Sequence, residues 1–361
     1  MRRAAFGPAL AGAALVSSLM WGLKEEFNPD WWGYAAIYQD DGAWLADQGR
    51  DPLFLLLVGS LSGLLGPDGY DAFRVLIGLY FAAFTYVMLR GRVLPLGRLA
   101  PRWPMLLLGL LPFVALRFTV QIREGLALTL VLFGMAVLAR QSRPVSSTPA
   151  QALPALLLFM AGAALHSGTG VLLLALLLGL LLGWVCAGSS RIELWSLLTL
   201  GLAAVALGAG VAVFGLTTRA GGELVDAVYD SLADDDAALS LLKWLYWAAY
   251  GVGVAAVANR VHVLYGGGAL PLRLRPVLGV IALVLLPAIY VAALLLLAAG
   301  MPAIVVAGAA RIMNMLLSVT LLVLALRGVL SKRLGLFALL VLADQGRIMV
   351  DAVVGPAGAV P

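Results

Sequence analysis

The chain has 361 residues, of which 62% are hydrophobic and only 12% charged, and its mean hydropathy is +1.00. A soluble domain carries about 25% charged residues, so 24 Lys and Arg with 19 Asp and Glu cannot clothe a water-facing surface for a chain of this length. The net charge of +5 reads as loop charge that sets membrane orientation, not as affinity for nucleic acid.

The apolar residues form long unbroken runs such as Val171–Trp184 and Val277–Leu297. Membrane barrels alternate apolar and polar residues instead, so the spanning elements are helices. The expected fold is an all-α polytopic transmembrane bundle, one integral membrane domain over residues 1–361. One cysteine, Cys186, and two histidines, His166 and His262, exclude internal disulfides and leave too few ligands for a Cys- or His-built metal site. No metal and no cofactor are expected.

In chain order, Met1-Arg-Arg followed by Ala4–Leu23 reads as an uncleaved signal anchor, with a cleaved signal peptide as the rival. Residues 24–51 hold seven acids against two bases and read as an external polar loop. Pro52–Leu65 has only 14 residues, short for a span of about 20. It reads as a re-entrant element, because Tyr70–Leu89 alone must carry the chain to the arginines at 90, 92, 98 and 102, a cytoplasmic signal.

Pro104–Val120 then goes out and Gln121–Ala139 returns to Arg140 and Arg143. Residues 152–186 form a hairpin broken at its outer tip by His166-Ser-Gly-Thr-Gly. Arg191 is inside and Leu194–Leu216 leads to an external acidic loop, 217–240. Leu241–Leu264, Val277–Ala299, Pro302–Leu326 and Leu334–Val354 complete the path, with Arg260, Arg273, Arg275, Arg327, Lys332 and Arg333 inside. The total is about eleven spans plus the re-entrant element.

Polar residues inside apolar runs are costly in lipid and imply a cavity, a partner or a substrate. Arg123-Glu124 opens a span at its outer end, and reads either as an interfacial helix-end pair or as substrate-facing. His166 stands at an outer tip. Arg311 lies ten residues into its run with Asn314 one turn on, either a buried structural pair or a functional group. Arg117 is a weaker case of the same kind. Asp344 with Arg347 reads as a structural i,i+3 pair and His262 as interfacial. Arginine grips phosphate oxygens and keeps its charge, and neutral histidine accepts a proton from a hydroxyl. Arg123, His166 and Arg311 therefore fit a lipid pyrophosphate and an acceptor alcohol.

Three segments resemble the EpsG-type branch of the Wzy-like exopolysaccharide and O-antigen polymerases. The first is Asp30-Trp-Trp-Gly-Tyr-Ala-Ala-Ile-Tyr38 with Asp51-Pro-Leu-Phe54. The second is Gln121-Ile-Arg-Glu-Gly-Leu-Ala127, followed by Leu165-His166-Ser167. The third is Ala310-Arg311-Ile312 with Asn314. The sequence departs from the family pattern at Trp31, Glu124 and Phe54.

The resemblance implies a glycosyltransferase of the bacterial cytoplasmic membrane whose site faces outward. A growing glycan on polyprenyl diphosphate would be the donor, and a hydroxyl of an incoming lipid-linked repeat unit the acceptor. It implies catalytic roles for His166, Arg123 and Arg311. Asp30, Tyr34, Trp31, Trp32, Asp51, Glu124 and Asn314 would bind substrate, although Trp31 and Trp32 serve equally well as an interfacial aromatic belt. Expected partners are the lipid-linked oligosaccharides, membrane lipids, a chain-length regulator and a flippase, and no nucleic acid. A ligase acting on another acceptor shares this logic. A flippase or transporter is the rival from another class, although no internal repeat is seen.

Overall fold

The computed structural model describes residues 29–39, 51–89, 105–106, 108–110, 117–118, 121–141, 143–144, 148–187, 189–217, 241–298 and 303–354. The 217–240 loop lies almost wholly outside them, as does the first apolar segment. All regular structure among the described residues is helical. Five helical stretches are long and apolar enough to cross a membrane: Tyr70–Met88, Ile122–Arg140, Ser167–Val185, Leu274–Ala298 and Gly308–Leu326. This is the make-up of a helical membrane protein. Pro52–Leu65 and Pro149–Leu165 are shorter apolar helices.

The helices are α1 Pro29–Gln39, α2 Pro52–Leu65, α3 Tyr70–Leu89, α4 Ile122–Arg140, α5 Leu153–Leu165, α6 Gly170–Val185, α7 Ser190–Thr217, α8 Leu241–Gly266, α9 Leu274–Gly279, α10 Leu286–Ala298, α11 Ala303–Leu326 and α12 Lys332–Val354. Most follow the apolar runs. Helix α1 does not: it lies inside the segment read as a polar loop, and it starts at a proline, the residue best suited to a first helical position. Helix α2 has the bounds its composition gives it, with Pro52 at its start and Gly66, at φ 78, ending it.

The described chain divides into two compact units. The first contains the described residues up to Gln141, those of Ala150–Leu174 and those from Leu321 onward. Its centre is α4, buried along most of its length, against which α5 packs antiparallel. Glycines set this contact. A Cβ at Gly162 would stand 3.0 Å from the Ala127 carbonyl oxygen, and one at Gly134 would stand 2.7 Å from the Phe159 ring. Such close approach of small residues is how helices associate in lipid, where burial of apolar surface gives little drive. Helix α2 packs on α1, α3 and α5. Tyr38 of α1 donates to the Gly66 carbonyl at 3.0 Å and sits among Tyr70 and Phe73.

The second unit contains Ser142–Pro149 and Ala175–Thr320. Between α9 and α10 the chain makes a π-helical segment, Val280–Leu285. Pro287 explains it: a proline has no N–H, and its ring crowds the carbonyl four residues back, so the helix widens just before it. Helix α7 meets this wide turn at Gly201, where a Cβ would run into the Leu283 carbonyl oxygen.

Two arginines counted from the sequence as inner-loop charges are in fact turned inward. Arg275 is paired with the buried Glu193 at 3.0 Å. Arg273, fully buried, donates to the carbonyls of Arg143, Pro144 and Thr148.

Candidate active site

The antiparallel register of α4 and α5 brings their chemistry to one end. Pairing Gly162 with Ala127 and Phe159 with Gly134 sets the end of α5 beside the start of α4. Arg123 and His166 occupy those two ends. Between them lies Asp51, the residue before α2.

Asp51 is 3% exposed, while Arg123 and His166 are 25% and 27% exposed. The buried acid thus forms the floor and the two basic groups reach the surface. Asp51 Oδ2 accepts from Arg123 Nη1 at 2.8 Å, and Oδ1 accepts from the Ser167 amide at 2.8 Å. His166 Nδ1 is 3.8 Å from Asp51 Oδ2, facing it but beyond a direct hydrogen bond. Burial alone would raise the Asp51 carboxyl. The His166 ring, the Ser167 amide and the Arg123 guanidinium outweigh burial and hold it below the ordinary aspartate range.

The backbone at Asp51 is strained. Its φ of 54 and ψ of 50 are left-handed, in a residue that is not glycine and that precedes a proline. A left-handed residue costs about 1–2 kcal/mol, and such outliers cluster at functional sites. Here the strain turns the carboxylate inward under Arg123 and His166.

The surrounding residues complete the floor. The Arg123 amide donates to the Tyr34 hydroxyl at 3.3 Å, which caps the first turn of α4. The Arg123 guanidinium lies 5.8 Å from the centre of the Tyr34 ring and 5.9 Å from that of Phe54. Arg123 Nε is buried and finds no hydrogen-bond acceptor among the described residues, nor does His166 Nδ1 find a partner there. The His166 carbonyl accepts from both the amide and the hydroxyl of the buried Thr169, which pins the turn that carries the imidazole.

Of the residues singled out from the sequence, Asp51, Arg123, His166 and Tyr34 therefore meet. Glu124 turns away: it is buried, and its carboxylate accepts from Arg117 Nε at 2.9 Å, with Arg117 only 1% exposed. The Asp30, Trp31 and Trp32 side chains, like those of Asp344 and Arg347, lie outside the described ones. Arg311 and Asn314 belong to the second unit. Arg311 is exposed on α11, and Asn314 one turn later is buried and accepts from the Tyr250 hydroxyl at 2.9 Å. Ser167 was not singled out for a role, because it contributes through its amide and its side chain gives no signal.

The arrangement joins a permanent cation with an unsatisfied donor, a half-open imidazole, and a buried carboxylate that orients both. It suits an anionic group beside a hydroxyl that must lose a proton. No protein-family model, no curated protein and no solved structure matches the chain.

Proposed function

We propose that the protein is a membrane glycosyltransferase that extends a polysaccharide. It works at the outer face of the bacterial cytoplasmic membrane, in a bundle of about eleven spans plus the re-entrant α2. One observation carries this reading: the strained, buried Asp51 gathers Arg123 and His166, although Asp51 and Arg123 are 72 positions apart in the chain.

In the proposed reaction the donor is a glycan on polyprenyl diphosphate, and the acceptor is a hydroxyl of a lipid-linked repeat unit. The hydroxyl oxygen forms a bond to the donor's anomeric carbon as the carbon–oxygen bond to diphosphate breaks. The electron pair leaves with the diphosphate, whose charge Arg123 neutralises. His166 takes the hydroxyl proton. Asp51 stabilises the imidazolium that results, as a carboxylate beside histidine does in triad hydrolases. Arg311, exposed on α11, is a further required cation in this reading, and Asp30 with the tryptophans 31 and 32 contributes to the substrate surface, whereas Asn314 is buried and bonded to Tyr250.

The test is reconstitution of the pure protein in vesicles with polyprenyl-diphosphate-linked repeat units. Ladders of joined units are expected. Arg123→Ala, His166→Ala and Arg311→Ala should each leave only single units. Normal ladders from all three variants would overturn the assigned site, and transbilayer movement of the lipid without joining would overturn the proposal in favour of a transporter.

A further inference from the structure

The turn that carries His166 contains two glycines, Gly168 and Gly170, and neither has the left-handed backbone that favours glycine. Gly168 lies in the short 3-10 turn Ser167–Thr169, a conformation any residue adopts. Glycine in such a turn has an entropic cost relative to alanine, so a reason other than backbone geometry is needed at 168.

Space supplies it. A Cβ at Gly168 would stand 2.8 Å from His166 Nε2 and 3.3 Å from Cδ2, whereas a Cβ at Gly170 would meet nothing within 4 Å. The opposite edge of the ring, Nδ1, is the buried one and faces Asp51 Oδ2. The imidazole is therefore held edge-on, Nδ1 toward the carboxylate and Nε2 over a bare glycine. A proton on Nδ1 faces a negative charge, which favours that tautomer and leaves the lone pair on Nε2.

We infer that His166 is kept as the Nδ1–H tautomer, that Nε2 is its proton-accepting atom, and that Gly168 is a positioning residue whose missing side chain leaves Nε2 open to a substrate hydroxyl. This deepens the proposed function and rests on it only for the identity of the hydroxyl. The ring placement stands on its own geometry.

The test needs no substrate. His262→Gln leaves His166 as the single imidazole of the chain, because the sequence holds two histidines. In that background, nitrogen-15 spectra of the labelled histidine in detergent should show a protonated Nδ1 and a bare Nε2 in the neutral ring. Diethyl pyrocarbonate, which acylates an accessible unprotonated imidazole nitrogen, should modify His166. Gly168→Ala should slow that modification about tenfold, since the added methyl must push the ring off its rotamer. Gly170→Ala, one turn position away and facing open space, should leave the rate unchanged.

A neutral ring protonated on Nε2 overturns the inference, as do equal modification rates in Gly168→Ala and Gly170→Ala. If Gly168→Ala does not fold, the spectrum of the parent alone decides. Ladder formation is a separate readout. Its absence alongside the expected tautomer would sink the proposed function and leave the ring geometry standing.

Discussion

Arg123 Nη1 donates to Asp51 Oδ2 at 2.8 Å, and this contact ties the first turn of α4 to the strained first turn of α2. Asp51 makes it from a left-handed backbone, an unfavourable conformation for a residue with a side chain. Folding tolerates that cost because the carboxylate also accepts the Ser167 amide from the end of α5. One buried acid thereby fixes three helix ends relative to one another.

The strain gives a prediction in which two variants differ in stability but not in activity. Asp51→Gly and Asp51→Ala both remove the carboxylate, and only glycine is at ease at φ 54. Asp51→Gly should be more stable than Asp51→Ala by about 1 kcal/mol. Both should lose about 100-fold in ladder formation, because Arg123 and His166 are no longer held in place. Thermal midpoints in detergent and ladder rates check the two halves. Equal midpoints would remove the strain argument.

A second prediction concerns acid. The charged and titratable groups that face Asp51 are Arg123 and His166, and the Asp51 carboxyl is held below its ordinary 3.8. A carboxyl with a depressed folded-state value binds protons more readily when unfolded. Its stabilising contribution is therefore complete above the ordinary value and is lost as pH falls through the lower, folded one. The difference in thermal midpoint between the protein and Asp51→Asn should hold steady down to about pH 4 and shrink below it. A difference that already vanishes by about pH 6 would contradict the depressed carboxyl.

Glu124 offers a third test, because sequence resemblance and geometry point different ways. Its carboxylate pairs with Arg117 in a buried contact at 2.9 Å. Removing one member of such a pair strands the other charge, at about 3–5 kcal/mol. Glu124→Ala should therefore be strongly destabilised, and Arg117→Met with Glu124→Leu should recover most of the loss. Ladders returning with stability in the double variant would make Glu124 a structural residue. A stable double variant without ladders would return it to the substrate surface.

The pattern of these residues also shows how far the sequence carries. The bounds of α2 and α3 could be read directly, since unbroken apolar runs end at Gly66-Pro67 and begin again at Tyr70. Charge is scarce in this chain, so Arg123, His166 and Arg311 are conspicuous in the sequence, whereas Asp51 and Tyr34 are singled out only by the resemblance, and that both meet Arg123 and His166 is visible only in the fold. Pairings were not legible. Arg273 and Arg275 look like ordinary inner-loop charges, and only three-dimensional packing shows one clasping carbonyls and the other paired with Glu193. Helix α1 was hidden within a polar segment, and the Ser167 amide leaves no mark in a sequence at all.

The α4–α5 contact supplies the last prediction, in which loss of activity should depend on distance from the site. Gly162 is four residues before His166 and packs 3.0 Å, measured to an added Cβ, from the Ala127 carbonyl, itself four residues after Arg123. Gly134 sits 11 residues along α4 from Arg123, about 16 Å at 1.5 Å per residue. A Cβ there would lie 2.7 Å from the Phe159 ring. A side chain forced into either place should cost about 1–3 kcal/mol, because the helices must separate or a packed ring must move. Gly162→Val parts α4 from α5 next to the site, so Arg123 and His166 move apart. Gly134→Val parts them at the far end, where the Asp51 contacts can still hold the two residues together. The two variants should therefore lose similar stability, while Gly162→Val loses about tenfold more ladder formation per folded molecule. Equal activity losses at equal stability would mean that the site does not depend on the local register of the two helices.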